Sequence, residues 1–116
     1  NQATNIFLLN VTSKGLMTVN FLGRMGSIYI HDSIINRLTV IRGGMKSIVR
    51  LSSSFIQFAE LHVPTYYIKN SYISDMLWLG MAQKITVTNS VFNRKLSVHG
   101  EKMTINLTNN TFNSEK

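Results

Sequence analysis

The side chains with the capacity for chemistry are few, and their spacing limits what they can do. Asp32, Glu60, Asp75, Glu101 and Glu115 are the only acids in the 116-residue chain. A hydrolytic site needs two carboxyl groups on one bond, and a calcium site needs several oxygens converging. No Asp-Asp or Asp-x-Asp pair is present, and the acids fall in different parts of the repeat described below. His31, His62 and His99 are not expected to share one column: His31 precedes a corner, while His62 and His99 lie on second strands among apolar neighbours. The serines lack a matching His-Asp set, and Arg42-Gly43-Gly44 is too short to cradle a phosphate. No catalytic residue, metal site or cofactor is therefore expected, and the protein reads as a non-enzyme.

The elements that would position any functional side chain form an internal repeat. Ile85-x-Val87-x-Asn89-Ser90-x-Phe92 returns as Ile105-x-Leu107-x-Asn109-Asn110-x-Phe112. Aligned on that phrase, the chain restarts at Ile6, Ile28, Val49, Tyr66, Ile85 and Ile105, in steps of 17 to 22 residues. Each start is followed two residues on by Leu8, Ile30, Leu51, Ile68, Val87 or Leu107, the period-two alternation of a strand with one apolar face. A polar pair comes next: Asp32-Ser33, Ser53-Ser54, Asn70-Ser71, Asn89-Ser90 and Asn109-Asn110, with only Asn10 in the first coil. Such residues tolerate bent backbone and bond to it locally, so each pair marks a corner, and stacked corners could form a hydrogen-bonded ladder.

A second alternating strand follows: Met17-x-Val19-x-Phe21, Leu38-x-Val40, Leu61-x-Val63, Leu77-x-Leu79 and Leu96-x-Val98. It closes on Gly23, Gly43-Gly44, Pro64, Gly80 and Gly100. Met25, Met45, Met81 and Met103 stand just after these turns and are expected to stack inside as flexible filler. Residues 55–63 come nearest to a helical pattern but are assigned to the second strand of the third coil.

The phrase I-x-V-x-N-S-x-F, with a second strand and a turn before the next copy, resembles the coils of right-handed parallel β-helix proteins of the pectate-lyase-like kind. The resemblance spans about Ile6 to Phe112. It implies an all-β, single-domain parallel β-helix or β-solenoid over residues 1–116, with five to six coils and a repeat near 20 residues. A leucine-rich repeat is the rival, since L-x-L-x-x-N-x-L also fits Ile105 to Phe112. Two features oppose it: Ser recurs at the sixth position of the phrase (Ser33, Ser54, Ser71, Ser90), and the second half of each coil alternates like a strand. The resemblance also keeps open a carbohydrate-active enzyme fragment, or a leucine-rich recognition domain if the rival holds.

Composition constrains the partner more than the chemistry. Hydrophobic residues make up 44% and charged residues 15%, the balance of a folded core. No apolar run approaches the ~20 residues of a membrane helix. There is no cysteine. Twelve Lys and Arg against five acids leave a net charge of +7, a bias towards acidic partners. Basic residues gather at coil edges: Arg24, Arg42, Lys46, Lys84 and Lys102 near the turns, and Lys14, Arg37, Arg94 and Lys95 between the strands. Three N-x-Ser/Thr triplets, at Asn10, Asn106 and Asn109, are close to the number chance would place in an Asn-rich, Ser/Thr-rich chain.

If Ile28 and Ile30 face inward, Tyr29 and His31 face out. The equivalent outward pairs are Arg50 with Ser52, Tyr67 with Lys69, Thr86 with Thr88, and Asn106 with Thr108. Beyond the corner the outward column reads Ile34, Phe55, Tyr72, Val91, Thr111. Tyr29, His31, Ile34, Arg50, Phe55, Tyr67, Lys69 and Tyr72 therefore form the candidate binding surface, aromatic, aliphatic and basic on one side of the early coils. The expected function is a binding or assembly module for a protein or an acidic polysaccharide. Self-association through solenoid ends or a side face is a further expectation, nucleic acid is not the expected partner, and an extracellular or cell-surface location fits best.

Overall fold

The computed structural model describes residues 4–21, 26–41 and 44–113. Every regular element among them is a strand: β1 (Thr4–Leu9), β2 (Thr12–Asn20), β3 (Gly26–His31), β4 (Ile34–Ile41), β5 (Ile48–Ser52), β6 (Phe55–His62), β7 (Thr65–Lys69), β8 (Tyr72–Gly80), β9 (Lys84–Thr88), β10 (Val91–Phe92), β11 (Lys95–Val98), β12 (Thr104–Thr108) and β13 (Thr111–Phe112). First strands stack in parallel in the order β1-β3-β5-β7-β9-β12, and second strands in the order β2-β4-β6-β8-β10-β13, with β11 also beside β8. The chain is a parallel β-solenoid of about five turns, each turn adding one strand to each of two sheets. With strands in both halves of the coils and no helix among the described residues, the leucine-rich alternative falls.

The repeat starts are in register: Ile6, Ile28, Val49, Tyr66, Ile85 and Ile105 are Cα partners in succession. Their side chains and those two residues on point inward, so Ile28, Ile30, Val49, Leu51, Ile68, Ile85 and Val87 are buried. Burying one such side chain contributes about 1.5–3 kcal/mol. A single coil cannot do this alone, because its apolar edge closes only against its neighbours. The last coil shows the converse: Ile105, Leu107 and Phe112 occupy the same positions and remain exposed.

Corners are made as their composition requires. The first member of each pair takes a left-handed backbone: φ is 57° at Asn10, 51° at Asp32, 50° at Ser53, 51° at Asn70, 51° at Asn89 and 55° at Asn109. Asn and Asp tolerate that region better than other side-chain-bearing residues. The second member turns inward and carries a ladder. Ser33, Ser54 and Ser71 donate N–H to the hydroxyls of Ser54, Ser71 and Ser90 one coil on, at 3.1–3.2 Å. Ser90 N–H donates to Asn110 Oδ1 at 2.9 Å, and Val11 N–H to Ser33 Oγ at 3.1 Å. Each serine hydroxyl returns its proton to the carbonyl two residues back, as Ser54 Oγ does to Ser52 O at 2.8 Å. The ladder expected at the corners is thus present, made from side chain to backbone rather than side chain to side chain.

Second strands bend. Inward residues fall three or four apart, as Ile35 and Leu38, Ile56 and Ala59, Ile73 and Leu77, instead of two. The sheet register shifts at that point between Ile56 and Phe58 and between Ser13 and Leu16. In the third coil Leu38 pairs with Ala59, and Leu61 with Val40 and Leu79. The inward pair is therefore Ala59-x-Leu61, two residues earlier than the sequence alignment placed it. Ala is too small to stand out, and Val63, buried at the return turn, imitates a strand position.

Return turns correct a second expectation. Met45 is 85% and Met81 51% exposed, so the methionines are not an internal stack; Met103 is partly buried against the core. Met81 itself has φ 57° at a turn, which swings its side chain out. Met25, with Gly23, Arg24, Arg42, Gly43 and Glu115, lies outside the described residues. The inside of the third return turn is held by Tyr66. Its buried hydroxyl accepts from Val63 N–H at 2.9 Å and offers its proton to Leu61 O at 2.7 Å and Gly80 O at 2.9 Å. Burial pushes that hydroxyl well above the usual tyrosine range.

Candidate functional site

The outward residues of the first sheet form one continuous column. Phe7, Tyr29, Arg50, Tyr67, Thr86 and Asn106 are successive register partners. The Phe7 and Tyr29 rings stack at 4.9 Å between centroids and 16° between planes. The Arg50 guanidinium lies 4.5 Å from the centre of the Tyr67 ring and 5.8 Å from that of Tyr29. Lys84 Nζ is 5.7 Å from the centre of Tyr67. Two rings, a guanidinium and a third ring thus stack along the solenoid axis, with Lys84 beside the last, because strand spacing of ~4.8 Å is near ring-stacking distance. Ring faces turn towards their neighbours in the column, and edges and polar ends are left to solvent.

Beside that column runs a second, with His31, Ser52, Lys69 and Thr88 as register partners. His31 Nδ1 lies 2.7 Å from Ser52 Oγ and His31 Nε2 3.2 Å from Asp32 Oδ2. Between the columns is a cavity of about 370 Å³ lined by Tyr29, His31, Arg50, Ser52, Tyr67 and Lys69. Among the described residues no carboxylate lies in salt-bridge range of Arg50, Lys69 or Lys84.

Ile34, Phe55 and Tyr72 align with Val91 as expected, but on the second sheet. The corner row of Asp32, Ser53, Asn70 and Asn89 separates them from the cationic column. The eight residues expected on one side therefore divide into five on the first sheet and three across the corner. Phe55 and Tyr72 stack at 5.1 Å, and with the corner row they line a shallow groove of about 680 Å³.

A third cluster escaped the reading of the sequence. His62 and Gly80 are Cα partners, and Val98 pairs with Leu79, which sets His99 beside Gly80 as well. Two of the three histidines thus share a column, with Gly80 between them. Trp78 leans over the space that glycine leaves, its ring centre 4.9 Å from His62 and 4.6 Å from His99. His62 Nε2 meets Glu60 Oε2 at 2.9 Å, and His99 Nε2 meets Ser97 Oγ at 2.7 Å. The error came from the same two-residue misalignment of the third coil. Asp75 pairs with Arg94 at 3.4 Å, so Asp32, Glu60 and Asp75 each face a basic side chain in separate coils.

No protein-family model matches the chain, and no curated protein or solved structure matches it. The parallel β-solenoid is shown by strand order and register alone. Among the described residues no helix is long and apolar enough to cross a membrane.

Proposed function

We propose that this solenoid is a non-enzymatic binding or assembly module whose first-sheet outer face engages an acidic partner, an acidic polysaccharide or the acidic face of a protein. The observation that carries the reading is the stack Phe7–Tyr29–Arg50–Tyr67–Lys84, with Lys69 beside it and no acid among these residues to neutralise it. Rings with centres 4.5 and 5.8 Å from the guanidinium flank Arg50, and such restriction lowers the entropy lost on binding. A net charge of +7 favours encounter with such partners. The likeness to pectate-lyase-like coils is, on this reading, one of coil construction, since the carboxylates are dispersed and each of the three in strand or corner positions has a basic neighbour. An extracellular or cell-surface setting suits the role. Assembly through the exposed Ile105, Leu107 and Phe112 would appear as concentration-dependent sedimentation.

The test is capture of acidic proteins and glycans at low and high salt. Binding should fall steeply with salt and be lost in an Arg50→Gln/Lys69→Gln/Lys84→Gln variant whose thermal unfolding matches the parent. A salt-insensitive complex, or one that this variant retains, would overturn the reading.

A further inference from the structure

The inward row of the last coil is open. Ile105, Leu107 and Phe112 are 43%, 47% and 46% exposed, whereas Ile85, Val87 and Phe92, one coil earlier, are at most 1%. Among the described residues β12 is the edge of the first sheet, with a neighbour on one side only. We propose that two copies of this chain meet at this end, pairing their β12 strands antiparallel about a two-fold axis through Asn106. This deepens the assembly part of the reading above and does not depend on the acidic-partner face.

Strand β12 is suited to pair with itself. Its sequence, Thr104-Ile105-Asn106-Leu107-Thr108, reads nearly the same in both directions about Asn106. Thr104 N–H donates to Gln83 O at 2.8 Å and Thr108 O accepts Asn89 N–H at 3.0 Å, so these residues turn their backbone groups towards the preceding coil. Backbone direction alternates along a strand, which turns the N–H and C=O of Ile105 and Leu107 to the open edge. With the axis at Asn106, Ile105 of one copy opposes Leu107 of the other, and the two exchange both of their backbone bonds; the symmetry-related pair repeats this. Opposed residues share a face, so these apolar side chains stay inward and close the row. Outside, Thr104 lies opposite the other copy's Thr108, a favourable cross-strand pair.

Charge and size fit a second copy. β12 carries no charged side chain, so a protein of net charge +7 can meet itself here without like charges opposed in the strand pair. Even the smallest cross-section of a molecule 41 × 34 × 18 Å across is about 600 Å², so two ends bury roughly 1,200 Å² together, the lower end of specific interfaces. Stacking head to tail on the first coil fits less well. Each inward corner N–H is received by a side-chain oxygen one coil on, from Ser54, Ser71, Ser90 and Asn110 in turn. The first coil has Val11 in that place, which offers none. A head-to-tail contact would also propagate into a ring or filament, whereas the two-fold pair uses up the open edge of both copies.

Sedimentation across a concentration series provides the test, with the parent, Leu107→Asp and Leu16→Asp, and, since the chain has no cysteine, Asn106→Cys and Thr86→Cys. Leu16 is an exposed apolar residue of the first coil, and Thr86 precedes Asn106 in the same outward column. The parent should rise from 13.1 kDa to twice that mass and stop there. Leu107→Asp should weaken the association about ten-fold or more, while Leu16→Asp stays within about two-fold. With oxidised glutathione, Asn106→Cys should cross-link to a dimer, because Cα atoms opposed in a non-hydrogen-bonded antiparallel pair lie about 4.5 Å apart, within disulfide reach; Thr86→Cys should not. Asn106 points outward, so its cross-link reads the contact even if Leu107→Asp disturbs the last coil. A mass that stays at 13.1 kDa, or keeps growing past the dimer, would overturn the proposal. So would equal losses in the two Asp variants, or a dimer in which Asn106→Cys fails to cross-link. The acidic-partner face lies on earlier coils: a monomeric parent that captures acidic partners loses this inference alone, and a dimer that captures none loses only that face.

Discussion

Ser71→Ala isolates one rung of the corner ladder. Ser71 Oγ accepts the buried Ser54 N–H at 3.2 Å and donates to Lys69 O at 3.0 Å. Removing it strands the amide but not the carbonyl, because Lys69 O also accepts Ser53 N–H at 3.0 Å. Ser71 N–H keeps its own acceptor, Ser90 Oγ. The net loss is one buried amide without a partner, which costs about 1–3 kcal/mol. Against the ~5–15 kcal/mol stability of a typical domain that is a large fraction, and it corresponds to a fall in Tm of roughly 4–12 °C.

Position along the solenoid sharpens the test. Ser90→Ala strands the buried Ser71 N–H and should cost as much. Ser33→Ala strands Val11 N–H at the half-buried first coil, where water can replace the hydroxyl, and should cost below about 1 kcal/mol. Guanidinium unfolding followed by circular dichroism and by Trp78, the single tryptophan, reads all three. Equal costs at the three positions, or a cost below about 0.5 kcal/mol for Ser71→Ala, would refute the ladder as an energetic element and reduce it to a geometric coincidence of stacked serines.

Two further predictions concern the return turns. Tyr66→Phe removes the acceptor of Val63 N–H and the donor shared by Leu61 O and Gly80 O, for a loss of about 1–3 kcal/mol at neutral pH. Burial raises the folded-state pKa of this hydroxyl above its ordinary value near 10, so its linkage contribution is complete below about pH 10 and is lost as pH rises beyond it. Unfolding measured at about pH 8 and pH 10.5 should show a steeper decline in the parent than in Tyr66→Phe, and parallel declines would contradict this. Met81→Gly should raise stability by roughly 0.5 kcal/mol, since Met81 is half-exposed and holds φ 57° at a cost glycine avoids. Asn70→Gly should change little, because Asn tolerates that backbone; a destabilised Met81→Gly would mean its side chain has a packing role.

What could be read from the sequence followed from what repeats in it. All six first-strand starts were legible because a buried face imposes alternation, and a one-residue slip would have turned Ile28 and Ile30 to solvent. Corners were legible because left-handed backbone favours Asn and Asp, and the inward position after it uses the Ser hydroxyl. Second strands were less so, since their bend breaks the period of two. That bend, together with the small Ala59, moved the third coil by two residues and hid the alignment of His62 with His99. The methionines misled for a different reason. They recur after the turns, but a thioether tolerates both core and solvent, so its recurrence says little about which one it meets.

The candidate site divides in the same way. Outward residues came correctly from the alternation, so the membership of the Tyr29–Arg50–Tyr67 column was in the sequence. The orientation of its rings was not, because it depends on what stands one coil above and below. That difference changes the chemistry. Exposed tyrosine faces would favour stacking on a sugar ring or filling an apolar pocket of a partner. Faces closed by Phe7, Arg50 and Lys84 instead leave ring edges and cations outward, which on the proposed reading favours an acidic partner. On that proposed reading the aromatic residues are the frame of the site and Arg50 its contact. Tyr67→Phe, which keeps the face over Arg50, should therefore preserve anion binding far better than Tyr67→Ala, which releases it; equal loss in the two would make the phenol hydroxyl, and not the stack, the group that matters.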